Sequence, residues 1–156
     1  MYKTTHFPMF VDMKNKIVLV FGGGKIAERR VSTLYDFGAN ITVVSTSFTE
    51  KLEDIDVKKI NLSFDDWLKS YSLSDLKPFI VLACTNNSEV NNRIYDLCKQ
   101  SNIIVNLCDD PNKCDFYFPA IVRKDNIVIG VSSDGKCHKD VKNIAARLRN
   151  TDLKEN

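Results

Sequence analysis

The chain alternates apolar runs with mixed stretches, and the period of each decides the element it predicts. Ile17–Phe21 is apolar without interruption, as a strand buried on both faces must be. Residues 25–37 change to a helical period: Ile26, Arg30 or Val31, Leu34 and Phe37 share a face, and Gly38 is placed to end the helix. Residues 41–45 read as the second strand. The stretch 47–77 is more polar, with a short third strand at 57–62 and an amphipathic helix at 64–71 around Trp67. Residues 79–85 form a fourth strand, Ser88 is the expected N-cap of a helix through residue 101, and residues 103–107 form a fifth strand. Strands alternating with helices predict an α/β fold: a Rossmann-like parallel sheet with helices on both faces.

The rhythm changes after Asp109-Asp110-Pro111. Residues 116–123 read as extended chain, 124–126 as a turn and 127–132 as another strand, which together predict a small antiparallel region. Residues 141–149 are a C-terminal helix. The lead-in 7–12 contains Pro8 and is expected to lie extended against the sheet. The resulting division is 1–112 for a nucleotide-binding domain, 113–150 for a dimerisation and substrate-pocket region, and 151–156 for a loose tail.

The first strand ends in Gly22-Gly23-Gly24, and a charged helix begins at once behind them. Gly22, Gly24 and Ala27 occupy the three positions of the G-x-G-x-x-G/A fingerprint. The first glycine turns sharply out of the strand, and the second lets the backbone approach a pyrophosphate. The small third residue lets helix and sheet pack closely. The N–H groups opening that helix would face the phosphates. Ligands of such a sheet bind beyond the carboxyl ends of its strands. Here those ends are Gly22-Gly23-Gly24, Ser45-Thr46-Ser47, Thr85-Asn86-Asn87 and Cys108-Asp109-Asp110. Asp109 is the carboxylate best placed for proton transfer near a hydride acceptor, although Asp-Asp-Pro is also a turn signature. The second strand lacks the usual ribose-binding acid and has no arginine in its place, so the residues alone leave NAD and NADP open. Tyr95 and Lys99 fit the Tyr-x-x-x-Lys spacing of short-chain dehydrogenases, but both fall in mid-helix and read as structural.

Composition narrows the classes. The 156 residues are 44% hydrophobic and 27% charged, enough to build a core, and the net charge of +2 offers no general attraction to nucleic acid or membrane. No apolar run approaches the roughly 20 residues of a membrane span, and no signal-peptide core opens the chain, so a cytoplasmic location is expected. The cysteines (Cys84, Cys98, Cys108, Cys114 and Cys137) are odd in number and lack a CxxC pair, which argues for reduced thiols. Cys108, Asp109, Cys114 and His138 are the set that could converge on a metal. Lys136, Lys139, Lys142, Arg147 and Arg149 meet only Asp140 between positions 136 and 149, the bias of a solvated helix or of a cradle for a polyanion.

Several ordered motifs, taken together, resemble one family. They are Phe7-Pro8-Met9-Phe10, the stretch from Val20 through the glycines to Arg29, and Ala83-Cys84-Thr85-Asn86-Asn87 with Asn91 and Arg93. Val105-Asn106-Leu107-Cys108-Asp109-Asp110-Pro111, Phe118-Pro119-Ala120-Ile121 and Val131-Ser132-Ser133-Asp134-Gly135-Lys136 complete the set. Nearly the whole chain resembles the precorrin-2 dehydrogenases of siroheme synthesis, including the N-terminal module of multifunctional siroheme synthases.

The resemblance implies NAD-dependent oxidation of precorrin-2, a polycarboxylated tetrapyrrole, to sirohydrochlorin, serving siroheme or cobalamin synthesis. It implies that Asp109 is the essential carboxylate, and that in some members the same residue serves insertion of Fe2+ or Co2+. Lys25, Ile26, Thr46 and Ser47 match cofactor contacts, alongside Gly22, Gly23, Gly24, Thr85 and Asn86 at the strand ends. Ser133 matches a serine beside the tetrapyrrole pocket that can regulate the module, and Lys136 adjoins it. The antiparallel region matches a homodimerisation element. Many relatives read Gly-Gly-x-Ser-Pro where this chain has Asp134-Gly135-Lys136-Cys137-His138. The rival functions are an NAD-binding sensor without catalysis and a metallochelatase independent of NAD.

Overall fold

The computed structural model describes residues 6–151, and the expected loose tail beyond Thr151 lies outside them. The chain divides into two units, Val11–Asp115 and a second made of the N-terminal segment up to Phe10 with the residues from Phe116 onward.

In the first unit the apolar runs become β1 (Ile17–Phe21), β2 (Asn40–Ser45), β3 (Lys58–Asn61), β4 (Ile80–Ala83) and β5 (Ile104–Leu107). All are parallel, in the order β3-β2-β1-β4-β5. Phe21 stands opposite both Val44 and Ala83, and Ala83 opposite Leu107, so four strands end level. That register brings Gly22, Ser45, Cys84 and Cys108 to one edge. The connecting helices are α1 (Lys25–Asp36), α2 (Glu50–Asp54), α3 (Phe64–Ser70), α4 (Leu73–Leu76) and α5 (Ser88–Gln100).

Strand alternation sends Leu19 and Phe21 to one face, where they cluster with Phe64 and Trp67 of α3, Leu73 of α4, and Ile94 and Cys98 of α5. Trp67 is fully buried with its ring edge-on to Phe21 at 5.0 Å, and Phe64 meets Phe21 at 5.1 Å in the same way. These T-shaped contacts satisfy the aromatic quadrupoles while filling the centre of the core. Helix α1 buries Ala27, Val31 and Leu34.

Several expectations shift. Ile26 does not join the buried face of α1; it is 46% exposed, because Ala27, one residue on, takes the sheet-facing position. The N-cap of α5 is Asn87, not Ser88: its Oδ1 accepts from the backbone N–H of Glu89 and Val90, leaving Ser88 as the first helical residue. The residue pattern does not predict helices α2 and α4. Each is a single turn capped by a side-chain hydroxyl, of Thr49 and Ser72, too short to show a period. Gly38 does end α1, at φ +77°. The lead-in forms no strand: Phe7, Met9 and Phe10 are 85%, 73% and 75% exposed, and Pro8 has no N–H to give to a ladder.

In the second unit β6 (Ala120–Lys124) and β7 (Ile127–Val131) form an antiparallel hairpin, turning at Asp125 with φ +50°. Residues 116–119, expected to be part of an extended run, precede the strand as irregular chain. Helix α6 (His138–Asn150) starts three residues earlier than the pattern suggests, so His138 is its first residue. Ala145 of α6 and Val122 of β6 are buried, and Arg149 Nη2 donates to Ile121 O at 3.1 Å.

Candidate functional site

Each of the three consecutive glycines meets a different constraint. Gly22 has φ +108°, and a Cβ there would lie 2.2 Å from Cys84 O, so the turn out of β1 needs glycine twice over. Gly23, outside the fingerprint, is as crowded: its Cβ would fall 2.0 Å from Ser47 O. Its own carbonyl accepts from Thr49 N at 3.0 Å. Gly24 is open: a Cβ there would meet nothing within 4 Å, and the residue caps α1 with no side chain covering the helix end. An open cradle therefore faces outward where α1 begins, the shape and polarity a pyrophosphate requires. The residues fit a dinucleotide.

The other strand ends gather beside this turn. The β2 loop is tied to α1 through Thr49 Oγ1, which donates to Glu28 Oε2 at 2.6 Å. Thr46 and Ser47 stand exposed on that loop, while Lys25 and Ile26 are exposed at the start of α1. At the end of β4, Thr85 is partly buried and Asn86 exposed.

Asn91 on α5, fully buried, joins the ends of β4 and β5. Its Oδ1 accepts from Thr85 N at 3.1 Å and from Thr85 Oγ1 at 2.7 Å. Its Nδ2 donates to Thr85 O at 3.2 Å and to Asp109 Oδ2 at 3.0 Å. Every polar valence of this amide is used, so the Asp109 carboxylate has a fixed address. Partial burial works to raise the Asp109 pKa, but hydrogen bonds from Asn91 and Ser88 outweigh it and hold the carboxyl below its ordinary range. Asp109 is an exposed, ionised carboxylate at the end of β5. Asp110 does the turn's work instead, capping the 3-10 turn Pro111–Lys113 through Asn112 N.

Arg30 of α1 completes the edge. Its Nη1 donates to Asn106 Oδ1, to Cys108 Sγ at 3.0 Å and to Cys84 Sγ at 3.5 Å. The hydrogen bond from Cys84 and the Arg30 charge, against the effect of burial, lower the Cys108 pKa. Cys98, by contrast, is pushed up to about 12 by burial and is an inert core thiol.

Ser133, Lys136 and His138 belong to the second unit. Ser133 Oγ accepts from Cys137 N at 2.9 Å ahead of α6, and Lys136 and His138 are exposed. His6 meets the Tyr117 ring at 4.3 Å with the planes tilted by 41°, and lies 3.3 Å from Asp134 Oδ1. Among the described residues no group of three or more His, Cys, Asp or Glu side chains assembles that could hold a metal. Cys114 turns its thiol to Leu107 O at 3.1 Å. Tyr95 and Lys99 pack on each other along α5, ring to ammonium at 5.4 Å. Arg93 pairs with Asp65 at 2.6 Å and lies over the Phe64 ring. An open depression of about 550 Å3 at the opposite, amino end of β1, β4 and β5 is lined by turn residues such as Asn15, Lys77 and Asn102. It brings no acid–base pair together.

Sequence reasoning does not find the Asn91 clamp, the crowding at Gly23 or the thiol contacts of Arg30. The third consecutive glycine is the available signal for Gly23. Nothing in the helical period distinguishes Arg30, whose partners come from strands more than fifty residues away.

The strand order and the glycine cradle define a dinucleotide-binding domain of the Rossmann type. The family model described as "Putative NAD(P)-binding" matches residues 9–120, and the chain belongs to that family. Its relatives include the probable multifunctional siroheme biosynthesis protein HemA of Ruminiclostridium josui, 41% identical over 92% of this chain and 28% of the relative. The siroheme synthase of Blochmanniella pennsylvanica is 39% identical over 84% of this chain and 27% of its own length. The chain thus spans little more than a quarter of the curated relatives it matches. The solved structure of SirC, a precorrin-2 dehydrogenase, superposes with a TM-score of 0.74 at 25% identity, over 94% of this chain and 72% of that one.

Proposed function

We propose that this chain oxidises precorrin-2 to sirohydrochlorin with NAD as the hydride acceptor, in siroheme or cobalamin synthesis. The observation that carries the reading is the Asn91 clamp, which fixes the Asp109 carboxylate at the edge that also bears the glycine cradle. Likeness to siroheme synthases and to SirC supports the choice of substrate.

In this reading Gly22, Gly23 and Gly24 with the start of α1 bind the pyrophosphate, and Lys25, Ile26, Thr46 and Ser47 contact the adenosine side. Thr85 and Asn86 border the nicotinamide side. NAD supplies a two-electron acceptor. As hydride leaves a carbon of the reduced macrocycle, one proton must also leave, and Asp109, ionised beforehand, receives it or holds the macrocycle in place. Residues 1–112 serve the cofactor, and residues 113–150 serve the substrate pocket, through Ser133 and Lys136, and homodimerisation. An exposed, ionised Asp109 would also suit delivery of Fe2+ or Co2+ to the product. No helix among the described residues is long and apolar enough to cross a membrane, and all five cysteines are free, which supports a reducing, cytoplasmic setting.

The test is anaerobic incubation of the purified protein with precorrin-2 and NAD, following the spectrum of sirohydrochlorin. NAD-dependent conversion is expected, and Asp109→Asn should keep cofactor affinity within a few-fold while removing most turnover. Unchanged turnover in that variant would remove Asp109 from the reaction. Protein that binds NAD but converts nothing would point to the sensor. Ferrous iron added after complete conversion tests chelation.

A further inference from the structure

The ends of β4 and β5 hold a chemical feature the oxidation does not use. Register places Ala83 opposite Leu107, which makes Cys84 and Cys108 neighbours on adjacent parallel strands, with Cys108 N donating to Ala83 O at 3.0 Å. Neighbouring strands lie about 4.8 Å apart, within the Cα separation a disulfide accepts. The two thiols bias each other's ionisation, Cys108 downward and Cys84 upward. Arg30 Nη1 contacts both sulfurs and is itself held by Asn106, a buried amide 2% exposed.

A guanidinium does not lose its charge, so this pair of thiols sits permanently against a cation. That arrangement repels a metal ion and favours a nucleophilic thiolate. Exposure then assigns the order of attack: Cys108 is partly exposed, whereas Cys84 is buried. A small reagent reaches Cys108 first, with Cys84 waiting beside it.

We propose that Cys84 and Cys108 form an oxidant-sensitive dithiol that takes hydrogen peroxide as its reagent and closes to a disulfide under the cofactor cleft. The Cys108 thiolate attacks the peroxide oxygen; the S–O bond forms, the O–O bond breaks, and hydroxide leaves and is protonated to water. Cys84 sulfur then attacks the resulting sulfenic acid, the S–S bond forms, and the departing hydroxide takes the Cys84 proton as a second water. Two thiols are oxidised by two electrons and one peroxide is reduced to two waters. The bond would alter both sides of the cleft, because Cys84 O packs where Gly22 has no side chain and Cys108 is joined to Asp109. It would also remove the sulfur partners of Arg30. The regulatory consequence rests on the cofactor reading above; the thiol chemistry does not.

The experiment treats the reduced full chain with stoichiometric hydrogen peroxide, alkylates the remaining thiols under denaturing conditions, and maps the products by mass spectrometry. The expected product has lost two hydrogen atoms, carries a Cys84–Cys108 cross-link, and is restored by dithiothreitol. NAD titration should show a several-fold loss of affinity on oxidation that reverses on reduction. In Cys108→Ser, peroxide should form no such link and should leave affinity at whatever value the reduced variant has. A sulfinic acid at Cys108 without a cross-link would overturn the proposal, as would a bond formed through Cys98, Cys114 or Cys137. So would a peroxide effect on affinity that persists in Cys108→Ser. If reduced wild-type protein bound no NAD, the cofactor reading would fail while the cross-link still reported on the dithiol.

Discussion

In the unit over Val11–Asp115, five strands and their helices enclose a core in which Trp67, Phe21, Leu19, Leu82 and Ile94 are fully buried. In the unit built from β6, β7 and α6, Val122 and Ala145 are the buried hydrophobic residues among those described, while Ile127 and Ile144 are 49% and 45% exposed. A lone hairpin with one helix has little apolar surface of its own to hide. The difference teaches where precision comes from. The first unit can hold carbonyl and amide groups to ångström tolerance by its own packing, as Gly22, Gly23 and Asn91 require. The second needs apolar cover from elsewhere, which is the physical support for the proposed homodimer.

The largest effect should come from removing the centre of the dense core. Trp67→Ala is expected to cost about 3–5 kcal/mol, the range for truncating a buried large aromatic. Urea unfolding followed in the first unit should show it, independent of protein concentration. A cost near zero would mean that the core closes without its tryptophan.

Next in size is the concentration test on the thin unit. Amides of β6, β7 and α6 should lose hydrogen-exchange protection on dilution while those of β1 and β4 keep theirs. Ile144→Glu should reproduce the loss at high concentration and shift the sedimentation coefficient to that of a monomer. Protection that ignores dilution would show that the second unit needs no partner copy.

The same contrast explains how far the sequence can be read. The five strands of the sheet are legible because continuous apolar runs bounded by turn residues have few other uses, and the end of α1 because Gly38 announces it. The single-turn helices α2 and α4 are not, since each depends on one hydroxyl cap. The lead-in misleads because Phe7, Met9 and Phe10 look like core and are exposed. Of the candidate site, the strand ends can be located but their connections cannot. Asn91 reaches across to Asp109, and Arg30 to Cys84 and Cys108, through register between distant segments, which no local period encodes.

A smaller and more selective effect should follow from Gly24. Open space surrounds it, so Gly24→Val should leave unfolding nearly unchanged and weaken NAD binding by blocking approach to the backbone. Gly22→Ala should do the reverse in order of cause: strain at φ +108° and a clash with Cys84 O would destabilise the fold first. Calorimetric titration beside thermal unfolding separates the two. Equal NAD affinity in Gly24→Val and wild type would move the pyrophosphate away from this turn.

The smallest expected effect is the titration of Asp109, and its sign is fixed by the clamp. Its folded pKa lies below the ordinary aspartate value of 3.8, so the stability it contributes is fully present above that value and is lost only as pH falls through the lowered one. Because the carboxylate is exposed, solvent screens the contribution and little of the total stability should depend on it. The consequence for chemistry is larger than for folding. Asp109 is ionised across the whole neutral range, so a decline in turnover near neutrality must come from another group. Carboxyl-carbon NMR should give Asp109 a midpoint below that of an ordinary aspartate in the wild type, rising toward the ordinary value in Asn91→Ala. If the midpoint did not move, the hydrogen bond from Asn91 would not be what holds Asp109 ionised, and the clamp would position the carboxylate without tuning it.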